Sequence, residues 1–321
     1  MDTRLLSADS SADLDEAAGL LRRGGLVAFP TETVYGLGAL ALEPLAVRGI
    51  FAAKERPLTN PLIVHVLGQA EARPLCARWP IEAGELAARF WPGPLTLVLP
   101  RTALVPDEVT AGGDTVAVRS PSHPGARALL QRVGAPLAAP SANRAEHVSP
   151  TSAVHVLRDL NGRIDAVLDG GRCAFGIEST VVLLERTGAR LLRQGAISRT
   201  ALEELLGSLE PGPAAQGVAQ SPGLHPRHYA PAALVRIAAR AGLPALVSAL
   251  PGRVGALVFS AGLDGAIVAR LPDNAAGYAR ELYAALRDLE DAGCTSIAVE
   301  RVPGTPEWDA VRDRLTRAAG S

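Results

Sequence analysis

Of the 32 basic residues in the chain, all but Lys54 are arginine. A chain that uses arginine wherever a charge solvates its surface keeps lysine where a compact ammonium, not a planar fork, is required. Lys54 opens the stretch Lys54-Glu55-Arg56-Pro57-Leu58-Thr59-Asn60-Pro61. Pro57 and Pro61 predict a stiff loop there in place of a helix surface, so that Lys54 and Arg56 converge on one anion. The stretch lacks the preceding glycine and following hydroxyl of a P-loop. A triphosphate can instead be held by point charge and guanidinium fork.

Three further stretches combine hydroxyls, amides and glycines at the ends of apolar runs. Pro30-Thr31-Glu32-Thr33-Val34-Tyr35-Gly36-Leu37-Gly38-Ala39 follows the run at 26–29. Its position predicts a ligand crevice at the carboxyl end of a strand. Its glycines match the dinucleotide fingerprint G-x-G-x-x-G/A formally, but too far beyond the strand for the required tight turn. Pro140-Ser141-Ala142-Asn143 follows the run at 137–139, with Ser149-Pro150-Thr151 behind it. Phe175-Gly176-Ile177-Glu178-Ser179-Thr180 leads into another run, and Arg119-Ser120-Pro121 and Arg193-Gln194-Gly195 add cationic forks. Taken one at a time, these are ordinary turn and surface residues; together they predict one electropositive pocket at the carboxyl edge of a sheet.

Other chemistries are poorly represented. There is no H-E-x-x-H and no G-x-S-x-G elbow, and His225 with His228 in a proline-rich segment is a weak metal pair. No side-chain metal site is expected; a divalent ion would enter with phosphates, as magnesium prefers.

These residues need a scaffold, and the pattern supplies one. Residues 11–23 predict an amphipathic helix with Leu14, Ala17, Ala18 and Leu21 on one face and Ser11 as cap. Short apolar runs at 26–29, 62–66, 95–99, 116–118, 137–139, 166–168 and 181–184 alternate with helical patterns at 44–53, 81–90, 124–132, 151–158 and 199–206. Runs 181–184 and 190–193 read as a hairpin around Gly188, so strict parallel order is not implied. Proline and glycine crowd residues 208–231 and predict a linker without regular structure. Strands at 254–259, 266–269 and 296–300 follow, with helices at 274–292 and 307–319. The division is 1–207, an α/β domain that carries the candidate pocket; 208–233, linker; and 234–321, a small α/β domain.

The 321 residues are 48% hydrophobic and 20% charged, which suits two packed domains and excludes a disordered scaffold. A net charge of -1 argues against a surface built wholly for nucleic acid. Three separated cysteines exclude a disulfide framework, and no apolar segment is long enough to span a bilayer. No basic, then apolar, N-terminal leader is evident, so a soluble cytoplasmic setting is expected.

The segments FPTETVYGLGA (29–39), AKERPLTNPLIVHV (53–66), FWPGPLTLVLP (90–100), VAVRSP (116–121), APSAN (139–143), GIESTVV (176–182) and LLRQGAIS (191–198) resemble, in order, the YrdC-like threonylcarbamoyl-AMP synthases. SPGLHPRHYAP (221–231) is similar to the linker signature of the two-domain form. The resemblance implies a YrdC-like twisted mixed sheet with flanking helices, plus a small Rossmann-like C-terminal domain. It implies that L-threonine, bicarbonate or carbon dioxide, and ATP with magnesium give threonylcarbamoyl-AMP and pyrophosphate. A downstream transferase would pass the group to the adenosine beside the anticodon in tRNAs reading ANN codons. The family's catalytic set falls on Lys54, Arg56, Ser141 and Asn143. Thr33, His65, Arg119 and Ser179 are similar to its threonine-side positions. Arg56, Asn60, Thr115, Ser141, Ser149 and Arg193 are similar to its ATP-side positions, and His228 and Tyr229 to residues of the linker that closes over the site. Glu55 stands where a glycine is frequent.

Two other readings remain open from sequence. One is a module that binds tRNA or double-stranded RNA without adenylation, disfavoured by neutral charge and the lack of interleaved aromatic and basic residues. The other is a carbamoyl-transfer domain of the hydrogenase-maturation type, disfavoured because acylphosphatase and zinc-finger segments are missing.

Overall fold

The computed structural model describes residues 2–211, 231–260 and 262–320. They divide into two compact units: residues 2–145 with 150–174 and 178–211, and residues 146–149 with 175–177, 231–260 and 262–320.

The first unit holds β1 (Arg4–Ser7), α1 (Ser11–Arg22), β2 (Val27–Phe29), β3 (Gly36–Leu40), α2 (Pro44–Lys54), β4 (Ile63–His65), β5 (Leu95–Pro100), β6 (Thr115–Arg119), β7 (Leu137–Ala138), β8 (Ala166–Asp169), β9 (Thr180–Leu184), β10 (Ala189–Arg193) and β11 (Glu210–Pro211). The strands join in one mixed sheet ordered β1-β8-β2-β3-β7-β4-β6-β5-β9-β10-β11. Helices Ile81–Phe90, Pro124–Val133, Ala153–Leu160 and Arg199–Leu206 flank it.

The α1 face packs Leu14, Ala17, Ala18 and Leu21 with Ala126, Leu129 and Leu130 of Pro124–Val133. Its cap is Ser10, one residue earlier than expected; the Ser10 hydroxyl accepts from the Asp13 amide at 3.2 Å. Strand side chains alternate between two faces. On the central strands one set, including Val64, Leu97 and Val118, enters the main core. The other, Ile63, Val98, Ala117 and Val181, forms a smaller cluster on the opposite face.

Several expectations from sequence are corrected. Residues 36–40, read as part of a crevice loop, form β3, antiparallel to β2. A Cβ on Gly38 would stand 2.8 Å from the Phe29 ring, so this glycine permits close strand packing and does not build a phosphate turn. The strands also do not present one carboxyl edge. β4 and β6 are parallel to each other but antiparallel to β7 and β5 respectively. β1 was not expected, and Glu210–Pro211 pairs with β10 inside the segment read as irregular. Proline is tolerated there because β11 is the last strand of the sheet.

The second unit holds β12 (Leu234–Ala238), β13 (Val254–Val258), β14 (Ile267–Arg270) and β15 (Ser296–Glu300) in an all-parallel sheet ordered β12-β15-β13-β14. Helices Leu243–Ala249, Ala275–Asp291 and Asp309–Ala319 connect or follow its strands. Among the described residues no helix is long and apolar enough to cross a membrane.

Candidate active site

Lys54 is the last residue of α2, not part of the loop that follows. Glu55 adopts a left-handed conformation, φ 55°, and ends the helix. The buried Lys54 side chain, 1% exposed, donates to the Ser141 carbonyl at 2.6 Å and also to the Asn143 carbonyl. Arg56, two residues on, donates to the Pro61 carbonyl at 3.2 Å. The stretches 54–61 and 141–143 are thus brought together. The lysine grips peptide carbonyls and not the Ser141 hydroxyl. Burial first, then the charge of Arg56, pushes the Lys54 pKa well below the ordinary lysine value, with Asp159 opposing.

The 30–39 stretch connects this corner to a second cluster. Leu37 N–H donates to the Pro140 carbonyl at 2.8 Å, Ala142 N–H donates to the Tyr35 carbonyl at 2.8 Å, and Gly36 bridges Ser141. Upstream, the hydroxyls of Thr31 and Thr33 lie 2.8 Å apart, with Thr31 donating to the Val34 carbonyl at 2.6 Å.

The second cluster is a row across the sheet. His65 of β4 pairs with Arg119 of β6, and Arg119 pairs with Thr96 of β5. Residues directly opposite share a face, and two positions along lies the apolar row Ile63, Ala117 and Val98. Ser179, just before β9, extends the row: its hydroxyl lies 2.7 Å from that of Thr96. Arg193 Nε donates to the Ser179 carbonyl and Nη2 to its hydroxyl, both at 3.0 Å. Gly195 makes this packing possible, because a Cβ there would stand 2.4 Å from the Thr180 nitrogen.

Arg119 Nη2 lies 2.5 Å from Glu32 Oε1, and both side chains are buried. Burial raises the Glu32 pKa, but the Arg119 charge and hydrogen bond, aided by the Ser122 amide at 2.9 Å, outweigh it and hold the carboxyl below its ordinary value. Burial and then the Arg119 charge push the His65 pKa down to about 3, so the imidazole is neutral at pH 7. Its ring packs edge-on to Phe29 at 5.8 Å. One guanidinium, a neutral imidazole and several hydroxyls suit a small molecule that bears a carboxylate and a hydroxyl.

The remaining residues are less gathered. Thr115 shares a face with Arg119 but begins β6, four residues or roughly 13 Å away. The Asn60 backbone N–H donates to the Pro57 carbonyl at 3.3 Å in the turn before β4. Ser149 is fully buried and groups with the second unit. His228 and Tyr229 lie outside the described residues. Among the described residues no group of three or more His, Cys, Asp or Glu could hold a metal ion.

Sequence reasoning counts the Glu32 carboxylate only as part of the crevice stretch, and it assigns no role to Thr96 or Gly195. Thr96 is a lone hydroxyl inside the apolar run 95–99, and Glu32 a lone carboxylate between two threonines; both were visible, but the partners were not.

Comparison with known proteins identifies the family and the fold. Residues 19–195 match the Sua5/YciO/YrdC family model, described as "Telomere recombination", and residues 197–320 match "Threonylcarbamoyl-AMP synthase, C-terminal domain". The chain is 43% identical over 316 residues to threonylcarbamoyl-AMP synthase of Pyrococcus abyssi, covering 95% of this chain and 93% of that one. It is 42% identical over 326 residues to the enzyme of the same name from Bacillus subtilis, covering 95% and 92%. The crystal structure of P. abyssi Sua5 complexed with L-threonine superposes with a TM-score of 0.94 at 40% identity, covering 100% of this chain and 98% of that one. Escherichia coli YciO, at 22% identity and TM-score 0.53 over 60% of this chain and 94% of its own, shares the fold of the first unit. The chain belongs to the Sua5/YciO/YrdC family, in the form that carries the threonylcarbamoyl-AMP synthase C-terminal domain.

Proposed function

We propose that the chain is a threonylcarbamoyl-AMP synthase, a nucleotidyltransferase that consumes L-threonine and ATP. Bicarbonate supplies the carbon: the threonine amine attacks it, water leaves, and an N-carboxylate forms. A carboxylate oxygen then attacks the α-phosphorus of ATP, a P–O bond forms, and pyrophosphate departs. Two anions must meet, so cations have to offset their repulsion and fix the line of attack. Lys54 and Arg56 serve that purpose, with Ser141 and Asn143 completing the catalytic set and Arg56, Asn60, Thr115, Ser141, Ser149 and Arg193 on the nucleotide side. Thr33, His65, Arg119 and Ser179 receive threonine. Magnesium arrives as part of the ATP complex, screening its phosphates. The product serves a downstream transferase acting on tRNA, in the cytoplasm.

The observation that supports this reading most is that the Arg119 row and the Lys54 corner share one unit and are tied through the 30–37 stretch. The RNA-binding alternative gains no support from the relatives named above. Incubation with threonine, bicarbonate and labelled ATP tests the proposal: pyrophosphate should appear only when all three are present, together with a threonylcarbamoyl adenylate identified by mass. Pyrophosphate release that ignores threonine would overturn it.

A further inference from the structure

Arg119 is held from one side only. Among the described residues its side chain makes one hydrogen bond, to Glu32, and its Nε is buried without a partner. A buried donor left unmatched is costly, so such a group is retained where an incoming acceptor completes it. The side of the guanidinium that stays unmatched depends on which side Glu32 occupies. Glu32 is itself fixed: its second oxygen accepts from the Ser122 amide at 2.9 Å, three residues beyond Arg119 on the same chain segment. One carboxylate therefore clamps both the end of β6 and the side chain that ends it.

We propose that Glu32 is a positioning residue for the amino-acid substrate: it sets the direction in which Arg119 presents its unmatched N–H groups to the substrate carboxylate. This rests on the threonine-side assignment of Arg119 made above. Glu32 acts through Arg119 and takes no proton from the substrate. Its charge also offsets that of the guanidinium, so the pocket receives the carboxylate without repelling the amine beside it. An uncompensated arginine would instead favour any small anion.

The test is Glu32→Gln, which keeps size and one acceptor but removes the charge. The threonine KM should rise about tenfold or more while kcat at saturating threonine and the ATP dissociation constant stay within about twofold. On an Arg119→Lys background the same substitution should add less than about twofold, because the two residues act as a unit. A fall in kcat at unchanged threonine KM, or full additivity with Arg119→Lys, would overturn the inference. Loss of ATP affinity together with a lowered melting temperature would also overturn it, since that marks general destabilisation. Should Glu32→Gln not fold, Glu32→Asp, which shortens the reach to Arg119, carries the same expectations. Wild-type protein that binds no threonine by calorimetry would instead overturn the functional reading itself.

Discussion

The Lys54 ammonium and the Ser141 carbonyl are 2.6 Å apart, although 87 residues separate them in sequence. With its second bond to the Asn143 carbonyl, the lysine stitches the end of α2 to the 141–143 turn. A planar guanidinium cannot replace a compact ammonium in a space with 1% exposure. Lys54→Arg should lower kcat/KM by about 10²-fold or more despite the retained charge. Steady-state pyrophosphate release measures this, and near-native turnover would show that any cation suffices.

Thr96 supports the site through Ser179. Thr96→Val keeps the shape but removes the hydroxyl 2.7 Å from Ser179. Stability should fall by about 1–3 kcal/mol, and the threonine KM should rise more than the ATP KM. Denaturant titration and paired kinetics separate the two effects.

Gly195 has a purely steric role. In Gly195→Ala the new methyl would meet the backbone of residues 178–180 at 2.4–2.6 Å, where no flexible side chain can yield. A loss of about 1–3 kcal/mol is expected, with a raised threonine KM because Ser179 shifts. Unchanged kinetics would show that the 194–196 turn can move away freely.

His65 should make stability pH-dependent. Its folded pKa of about 3 lies below the ordinary 6.5, so between those values the unfolded chain binds a proton that the folded chain does not. Stability is therefore lost as pH falls through that window, by about 2 kcal/mol between pH 7 and pH 5 for this group. His65→Leu should remove that part of the pH slope in unfolding experiments at the two pH values. A slope identical to wild type would contradict the neutral, buried imidazole.

Motifs and most elements were legible because they depend on local pattern. The α1 face, the helices at 81–90 and 199–206 and the hairpin around Gly188 follow from periodicity and breakers. Other features depend on partners distant in sequence. Residues 36–40 read as crevice because they follow an apolar run with hydroxyls and glycines, whereas the reason for Gly38 is the Phe29 ring across the strand pair. Lys54 was placed in a loop because two prolines follow it, yet Glu55 tolerates the left-handed turn that lets α2 continue to Lys54. Apart from that hairpin, strand direction is not legible, since a three-residue apolar run such as β4 looks the same either way. The pairing of Glu32 with Arg119 spans 87 residues, and nothing local to either one announces it.

The cross-strand row constrains the length of β5. Successive residues of β5 face opposite ways, so Thr96 stands between Leu95 and Leu97, which belong to the main core. A one-residue deletion upstream in that strand would turn a leucine toward Arg119 and Ser179 and bury the hydroxyl among aliphatic neighbours. A change in the length of β5 would therefore act twice, once on the Thr96–Ser179 hydroxyl pair and once on the main core.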